Sequence, residues 1–497
     1  MTDALFHGSS AASFYTDELP LSELAAASER VLGNQATNAT LHYCSPAHGG
    51  WGVVKVACTV PESHLLFVCP SACGRHGAIA AIEQGYRKKI SYLCINDNEI
   101  VLGGYEEEIE RGVRELMGRV KPRPKALMIF VSCIDDLLGT DHDAALKRME
   151  AEHGIPIKLA RMNPISMDTK LPPGIRVQKT MYEFLTPAVE RDRGIIIMGM
   201  YLPPSQHSEL AKVLALYGFG PIRHPEYCAD FASFKDMSRS AAALILRPEG
   251  RDAGEDLSAR LSIPSLRAFM AFDRESVMEQ YRRIAAFLQS LAPIPQNQAR
   301  LDAELDALLR VSLERVEQAA TTARFVVGDA RIALDSTVTI APFSLALALV
   351  KAGLNVTRIY TSQLPEFEKP HLAELSRLKR DIVVANPNHV RKYGPRLVTA
   401  ATDIAVGFEA AYASAAPITV PLAFDEQMYG FEGLAMVLEG LIRAVKAGKS
   451  DLQQLVKDYG LVVYPFLAAH LWLVSLSNHR ISVAALRYTV AVLQQAQ

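Results

Sequence analysis

The chain has 497 residues, a length that predicts about three domains at roughly 150 residues per domain. It carries 52 Lys and Arg against 54 Asp and Glu, so the formal net charge of −2 offers no argument for nucleic-acid binding. Hydrophobic residues make up 49% of the sequence, which excludes a disordered chain, a collagen-like rod and a disulfide-dense secreted module.

Over the first two thirds of the chain, short apolar runs alternate with longer amphipathic stretches. This alternation is typical of parallel sheets whose strands are connected by helices. The predicted strands are Leu65–Val68, Ile90–Ile95, Ala126–Ser132, Gly194–Met200, Ala241–Leu246 and Leu266–Phe272. The predicted helices are Glu106–Arg119, Gln206–Tyr217 and Arg274–Leu291.

The last third begins after a polar, proline-containing link at Ala292–Gln298 and follows the same scheme. Its predicted strands are Ala323–Gly328, Asn355–Thr361, Asp381–Asn386, Asp403–Val406 and Ile418–Pro421. Its predicted helices are Leu301–Ala320, Ile340–Ala352 and His371–Leu378.

The fold class that this order predicts is α/β, with three tandem Rossmann-like subdomains built on parallel sheets. We expect the subdomains at residues 1–188, 189–298 and 299–450, followed by a helical C-terminal tail at 451–497 that lies at an interface. Within the tail, Tyr459–His479 has no Asp, Glu, Lys or Arg and has about the length of a membrane span. Glycine, proline and polar residues interrupt it, so we expect a buried or subunit-facing segment of a soluble protein.

Targeting and nucleotide-binding signals are missing from the sequence. Met1–Ser10 lacks the basic and then apolar order of a secretory signal, and seven cysteines in so long a chain do not make a disulfide framework. We therefore expect a cytoplasmic protein. Gly448-Lys449-Ser450 ends like a P-loop, but it lacks the first glycine of that motif and follows a predicted helix instead of a strand.

Six of the seven cysteines fall before residue 134, and three of them stand among small residues, glycine or proline. These three are Cys44, Cys73 and Cys133. Thiolates are ligands of iron–sulfur clusters, although spacings of 29 and 60 residues would require the fold to bring these thiols together. From the residues alone, a cluster and a set of buried structural cysteines both remain open. Cys94 lies inside its predicted strand and is expected in the core.

The segments around these cysteines resemble nitrogenase component 1 in their order and spacing. Cys44 with the following Gly49-Gly50-Trp51-Gly52, and then Pro70-Ser71-Ala72-Cys73-Gly74, resemble the first two cluster-binding segments of that family. The segment Ser132–Asp141 resembles the third, and Val101-Leu102-Gly103-Gly104 resembles the turn between them. Near the C-terminus, Tyr429-Gly430-Phe431-Glu432-Gly433 resembles the start of an aromatic helix in the same family.

The resemblance implies that this chain supplies three cysteines to an iron–sulfur cluster at a subunit interface, of the 8Fe-7S P-type or the 4Fe-4S kind. By position they are Cys44, Cys73 and Cys133. Cys69, His76 and Ser132 would surround the cluster, and we expect His48, His64 and His76 to be hydrogen-bonded loop histidines. The resemblance also implies a cofactor-bearing α-like subunit in an α2β2 heterotetramer and a separate ATP-dependent [4Fe-4S] iron protein as electron donor.

The sequence departs from the cofactor-bearing subunit of that family, which holds its active-site cofactor through one Cys and one His. The matching places here are Leu244–Glu249 and Pro421–Met428, and neither contains Cys or His. The only later cysteine, Cys228, lies well before the first of these places and is expected to be a buried thiol. The departure favours a β-like chain.

The leading hypothesis is therefore the β-like subunit of a nitrogenase-like reductase, an oxidoreductase whose catalysis takes place on the partner chain. Carbon–sulfur bond reduction by methylthio-alkane reductase and N2 reduction are both candidate reactions. A component of a tetrapyrrole reductase, of the protochlorophyllide or nickel-sirohydrochlorin type, is one alternative. A non-catalytic scaffold for cofactor assembly is the other.

Overall fold

The computed structural model describes residues 18–27, 52–71, 73–74, 78, 81–82, 85–162, 173–292, 298–387 and 402–459. Within these ranges, fourteen β-strands form three sheets, and every strand pair except one is parallel. The first strand, β1 (Glu18–Pro20), belongs to the third sheet. The expected α/β fold with three parallel sheets is confirmed.

The first sheet has four strands in the order β3-β2-β4-β5. They are β2 (Ser63–Cys69), β3 (Ile90–Cys94), β4 (Ala126–Val131) and β5 (Ile157–Arg161). Both β2 and β4 are buried along their whole length. A parallel sheet that is covered on both faces requires such continuous apolar runs. These two strands can therefore be predicted from the sequence.

The second and third sheets complete the architecture. The second, in the order β7-β6-β8-β9, consists of β6 (Ile195–Met198), β7 (Ile222–Arg223), β8 (Ala242–Ile245) and β9 (Ser265–Arg267). The third, in the order β1-β12-β11-β10-β13-β14, adds β10 (Ile332–Asp335), β11 (Val356–Tyr360), β12 (Val383–Ala385), β13 (Ile404–Val406) and β14 (Ile418–Val420) to β1. The exceptional antiparallel pair is β1 with β12.

Seventeen α-helices with bounds in the described ranges connect or cover the strands, and the described residues between 71 and 82 are helical as well. They are α1 (Leu21–Ala27), α2 (Gly52–Cys58), α3 (Asp97–Val101), α4 (Tyr105–Arg119), α5 (Cys133–Leu138), α6 (Asp143–His153), α7 (Pro173–Tyr182), α8 (Glu209–Leu216), α9 (Phe231–Lys235), α10 (Arg251–Leu261), α11 (Arg274–Leu291), α12 (Gln298–Val327), α13 (Pro342–Lys351), α14 (Lys369–Leu378), α15 (Phe408–Ser414), α16 (Gly430–Ala447) and α17 (Leu452–Asp458). None of these helices is both long and apolar enough to cross a membrane.

The second sheet stands between the other two. Successive side chains of a strand point to opposite faces. In β6, Ile196 and Met198 share a hydrophobic core with Phe67 of the first sheet. Ile195 and Ile197 share another core with the third sheet. The carboxyl end of β8 is therefore placed where the three parts of the chain meet.

One predicted strand is wrong. Ala323–Gly328 does not extend as a strand, because its residues up to Val327 form the last turns of α12. Ala323 and Val327, four residues apart, are buried while Arg324 and Phe325 between them are exposed, which is the period of a helix and not of a strand. The strand of this region is β10, a few residues later.

The structure also adds elements and shortens others. Strands β1, β5 and β7 were not predicted, and the strand predicted over Leu266–Phe272 is only the short β9. Gly448-Lys449-Ser450 follows α16, as expected, and Thr419 N–H donates to Ser450 Oγ over 2.9 Å. Apart from β1, the strands of each sheet fall within one of the three expected subdomains, whose exact boundaries stay a prediction. Most of the expected C-terminal tail, residues 460–497, lies outside the described residues.

Candidate functional site

The carboxyl edge of the first sheet brings several cysteines together. Cys69 is the last residue of β2 and lies in register with Cys94, the last residue of β3. The N–H of Ile95 donates to the Cys69 carbonyl over 3.1 Å, which fixes the two strand ends side by side. On the other side of β2, Ser132 N–H donates to the carbonyl of Val68 over 3.2 Å, so Cys133 starts α5 beside the same edge.

Cys73 lies in helical residues that follow directly after β2. Its N–H donates to the carbonyl of Pro70 over 2.9 Å. The following Gly74 packs so closely that a Cβ there would lie 3.2 Å from Cys69 Sγ and 2.7 Å from the ring of Tyr92. Glycine is therefore required at this point for the chain to pass over the buried Cys69.

The thiols of this edge differ in exposure and acidity. Cys69 is buried, and its burial together with the neighbouring Cys73 and Cys94 raises the pKa of its thiol to about 12. Cys73 and Cys94 are exposed and Cys133 is half-buried, so these three thiols are accessible at the surface.

The structure corrects two expectations about single residues. Cys94 does not lie in the core, because β3 ends at it and its side chain is exposed. His64 does not lie in a loop but in β2, where its Nε2 is 2.8 Å from Ser91 Oγ. At about 3.3 Å per strand residue, His64 stands roughly 16 Å before Cys69 along β2, and burial lowers its pKa to about 4. It is therefore too distant to act on a cluster at this edge.

Other predicted site residues are only partly described. Three of them lie outside the described residues, namely Cys44, His48 and His76. Ser132 is buried directly before α5, and its side chain makes no capping hydrogen bond to that helix. Cys228, expected to be buried, is half-buried, and its thiol donates to the His224 carbonyl over 3.5 Å.

A buried ionic network fixes the segment that follows Cys133. Asp135, in the first turn of α5, is fully buried and contacts His142 Nε2 through Oδ1. Arg161, at the end of β5, places Nη1 2.7 Å from Asp135 Oδ2 and donates from Nη2 to the Thr140 carbonyl over 2.9 Å. Sequence analysis missed Arg161 because it ends a strand that was not predicted.

Exposed apolar side chains border the cysteine edge. Val101 and Leu102, after Cys94, are 80% and 83% exposed. Leu137 and Leu138, after Cys133, are 81% and 43% exposed. We call these four residues the apolar rim. Exposed apolar side chains of this size, shortly after Cys94 and Cys133 in the chain, are candidates for a surface that binds another protein.

A second group of residues connects the second and third subdomains. Arg247, shortly after β8, is buried, and its Nη1 lies 2.6 Å from Oδ2 of the fully buried Asp425. Its Nη2 lies 2.7 Å from Glu249 Oε1, and its guanidinium carbon is 5.9 Å from the ring centroid of Tyr201. Burial alone would lower the pKa of Arg247, but Glu249 and Asp425 raise it, so the guanidinium stays charged.

The turn that presents Asp425 has an unusual backbone. Phe424, Asp425 and Gln427 adopt positive φ angles of 59°, 55° and 59°, which cost free energy in residues other than glycine. Hydrogen bonds hold the turn in place, among them Asp425 N–H to the Val338 carbonyl over 2.9 Å and Gln427 N–H to the Leu202 carbonyl over 3.1 Å. The turn is thereby attached to both the second and the third subdomain.

The neighbouring Glu426 contacts the first subdomain and the start of the expected tail. Lys55 in α2 places Nζ 2.6 Å from Glu426 Oε1. Tyr459 donates its hydroxyl to Glu426 Oε2 over 2.8 Å. The two segments in which the resemblance places cofactor ligands are therefore in contact. Their contact is the ion pair of Arg247 and Asp425, and the side chains around it are charged or phenolic.

Comparison with known proteins places this chain in a family. It belongs to the nitrogenase component 1 type oxidoreductases, whose sequence profile matches residues 49–444. The solved structure "Nitrogenase Cp1 at pH 6.5" is similar with a TM-score of 0.59 and 13% identity, over 85% of this chain and 96% of that chain. "Nitrogenase Cp1 at pH 5" is similar with a TM-score of 0.57 and 12% identity, over 84% and 91%. At such identities the two structures show the fold alone. A comparison with curated proteins gives no match.

Proposed function

We propose that this chain is the β-like subunit of a nitrogenase-like reductase, and that Cys44, Cys73 and Cys133 hold half of an iron–sulfur cluster shared with a cofactor-bearing α-like subunit. The assembly would be an α2β2 heterotetramer reduced by an ATP-dependent [4Fe-4S] iron protein. The observation that carries the β-like assignment is the buried ion pair of Arg247 and Asp425.

The ion pair stands where the family resemblance places the ligands of the active-site cofactor. A metal cofactor needs soft or imidazole donors there, and a guanidinium is a permanent cation that cannot bind a metal. Asp425 accepts from both Arg247 and the N–H of Ile340, over 3.1 Å, so Oδ2 is already used. The residues around this ion pair do not fit a metallocofactor, and we therefore assign substrate reduction to the partner subunit.

The support for an iron–sulfur cluster is the placement of several thiols at one edge of the first sheet. Among the described residues, no three His, Cys, Asp or Glu side chains are arranged to hold one ion. The thiols instead follow neighbouring strands, with Cys73 and Cys133 at the surface, where a larger cluster could meet a second subunit. A cluster bound there would supply single-electron transfer.

The apolar rim supports the partner interface. Leu137 lies one turn after Cys133 on α5, so a subunit that covers this leucine also covers the cluster edge. Burying exposed leucine and valine side chains stabilises a complex by about 25 cal/mol per Å² of apolar surface. The bound substrate depends on the partner. Reduction of the carbon–sulfur bonds of methylthio-alkanes and reduction of N2 are both compatible with this proposal.

The proposal is tested on protein purified without oxygen together with its co-purifying subunit. Iron and acid-labile sulfide are measured, and EPR spectra are recorded in dithionite-reduced and dye-oxidised states. We expect several irons per αβ pair, most of them lost in Cys133→Ala and all retained in Cys228→Ala, whose thiol lies in the second subdomain. Absence of iron, or equal iron in both variants, would overturn the proposal.

A further inference from the structure

The helix that starts with Cys133 is too short to hold its own position. Helix α5 has six residues, and it ends at Gly139, whose φ of +65° stops the helix. Isolated helices of fewer than about 12–15 residues are marginal in water, so contacts with the rest of the subdomain must fix α5. Ser132, directly before the helix, makes no capping hydrogen bond with its side chain. The position of Cys133 therefore depends on contacts that other residues of α5 make.

The residues of α5 divide between an outward and an inward face. Cys133 and Leu137 are four residues apart, so they share a face of the helix, where Cys133 is half-buried and Leu137 is exposed. Asp135, halfway between them, is rotated by about 200° and is fully buried. A carboxylate in that place is costly unless charged or polar partners surround it. The partners of Asp135 are therefore the contacts that hold the helix.

Two neighbouring elements supply these partners. Oδ1 of Asp135 contacts Nε2 of His142, the residue directly before α6. Oδ2 lies 2.7 Å from Nη1 of Arg161, which ends β5. The ring of Tyr105, at the start of α4, packs edge-on against the His142 ring with 6.1 Å between the centroids. One buried carboxylate thus connects α5 to α6 and β5, and the packing of His142 extends this connection to α4.

Arg161 contacts α5 and the segment after it at the same time. Its Nη1 also lies 3.2 Å from Asp136 Oδ1, and its Nη2 donates to the Thr140 carbonyl over 2.9 Å. The next residue, Met162, donates its N–H to the carbonyl of Val131 over 2.8 Å, so β5 stays paired with the chain that leads into α5. A planar guanidinium with five N–H donors can make such contacts together, whereas a lysine ammonium has no such fork.

We propose that Asp135, held by Arg161 and His142, is a positioning residue that fixes the Cys133 thiol at the edge of the first sheet. The inference rests on the proposed function, because it needs Cys133 to bind the cluster. Replacing a residue that orients a metal ligand from outside typically changes metal affinity by about 10–100-fold. Hydrogen bonds and solvent exposure around a cluster also set its electronic properties. Loss of the Asp135 carboxylate therefore weakens iron retention although every ligand is still present.

The test uses the anaerobic complex with its co-purifying subunit. Asp135→Asn keeps the size of the side chain and removes its charge. The matched control is Asp335→Asn, which makes the same change at a fully buried carboxylate of β10 in the third sheet. Iron release to bathophenanthroline disulfonate is followed by absorbance, and EPR spectra of the dye-oxidised proteins are recorded. We expect at least about fivefold faster release and shifted g values in Asp135→Asn, and wild-type behaviour in Asp335→Asn.

The conservative variant Arg161→Lys gives a second measurement. It keeps a cation beside Asp135 but cannot contact Asp135, Asp136 and the Thr140 carbonyl together, so we expect a release rate between those of the wild type and Asp135→Asn. If Asp135→Asn does not fold, wild-type release and an unchanged spectrum in Arg161→Lys overturn the inference.

Further outcomes separate this inference from the proposed function. If Asp135→Asn keeps the wild-type release rate and spectrum, or if Asp335→Asn accelerates release equally, the inference fails. The proposed function stands in both cases as long as Cys133→Ala loses iron. If the wild-type complex holds no iron, both fail.

Discussion

Arg247 and Asp425 join the second and third subdomains through a buried salt bridge of 2.6 Å, although 178 residues separate them in the chain. Each follows a strand end, and neither charge has access to bulk water. An ion pair in such a place contributes to stability only while both partners are present, because either charge alone would be buried without compensation.

Removing one partner of this pair should be costly. Asp425→Ala is expected to lower the free energy of unfolding by about 3–5 kcal/mol, since it leaves the Arg247 guanidinium buried with Glu249 alone. Urea titrations of the two proteins measure the difference. The matched control is Glu304→Ala, which breaks the exposed Arg300–Glu304 pair and should cost less than about 0.5 kcal/mol. If Asp425→Ala lowers the free energy of unfolding by less than about 1 kcal/mol, Glu249 alone compensates the buried charge of Arg247, and the prediction is wrong.

His371 should make stability depend on pH on the alkaline side. Its Nε2 lies 3.2 Å from Asp273 Oδ2 and its Nδ1 lies 3.0 Å from Glu368 Oε1. Burial alone would lower the pKa of His371, but the two carboxylates raise it to about 9.

A histidine whose pKa is higher in the folded state stabilises the fold fully below its unfolded pKa, about 6.5, and this contribution disappears as the pH rises through 9. We expect the free energy of unfolding to fall by at most about 3 kcal/mol between pH 6.5 and 9.5. In His371→Gln the decrease should be smaller. Parallel slopes for the two proteins would show that His371 is not the titrating group.

Gly430 should not tolerate a side chain. It begins α16 with φ +58°, and a Cβ would collide with Glu209 Oε1 and lie 2.5 Å from the hydroxyl oxygen of Tyr281. Gly430→Ala is expected to cost about 2–4 kcal/mol, through left-handed backbone strain and displacement of buried groups. Gly118→Ala is the control, because this exposed glycine of α4 has nothing within 4 Å of its Cβ position. It should be neutral or stabilising by up to about 1 kcal/mol, as thermal melts of both variants would show.

The apolar rim should affect assembly and not folding. Leu137→Glu places a charge on a surface that the proposed partner covers, and we expect at least a tenfold loss of co-purifying partner with an unchanged melting temperature. Phe325→Glu changes an equally exposed apolar residue, 90% exposed on α12, at a distance from the cysteine edge in the chain. Equal partner recovery from the two variants would remove the rim from the interface.

Part of this structure could be predicted because the physical signal is local. The buried runs of β2 and β4 are apolar on both faces, and the amphipathic period of α4 and α11 marks those helices almost to the residue. The same signal misled at Ala323–Gly328, where a short apolar run ends a helix of thirty residues. The length of the whole periodic segment distinguishes a helix from a strand in such cases. A short apolar run by itself does not contain that information.

The candidate sites depended on information that no local pattern contains. Cys94 was expected in the core because the last residue of a strand has the same sequence signature as an interior one, and only the end of β3 exposes it. The absence of Cys and His from two segments was evident from the sequence. The pairing of Arg247 with Asp425 between these two segments could not be predicted from the sequence. Contact between residues 178 positions apart is determined by how the subdomains pack.

The antiparallel strand β1 has a consequence for the order in which the protein is made. Residues 18–20 pair with residues 383–385 of β12, and Glu18 also contacts Arg358. At synthesis rates of about 5–20 residues per second, the ribosome needs roughly 20–70 seconds to supply that partner strand. Residues 18–20 have no β12 partner until that time. The third sheet is therefore completed by a strand that is made before every other strand of the structure described here.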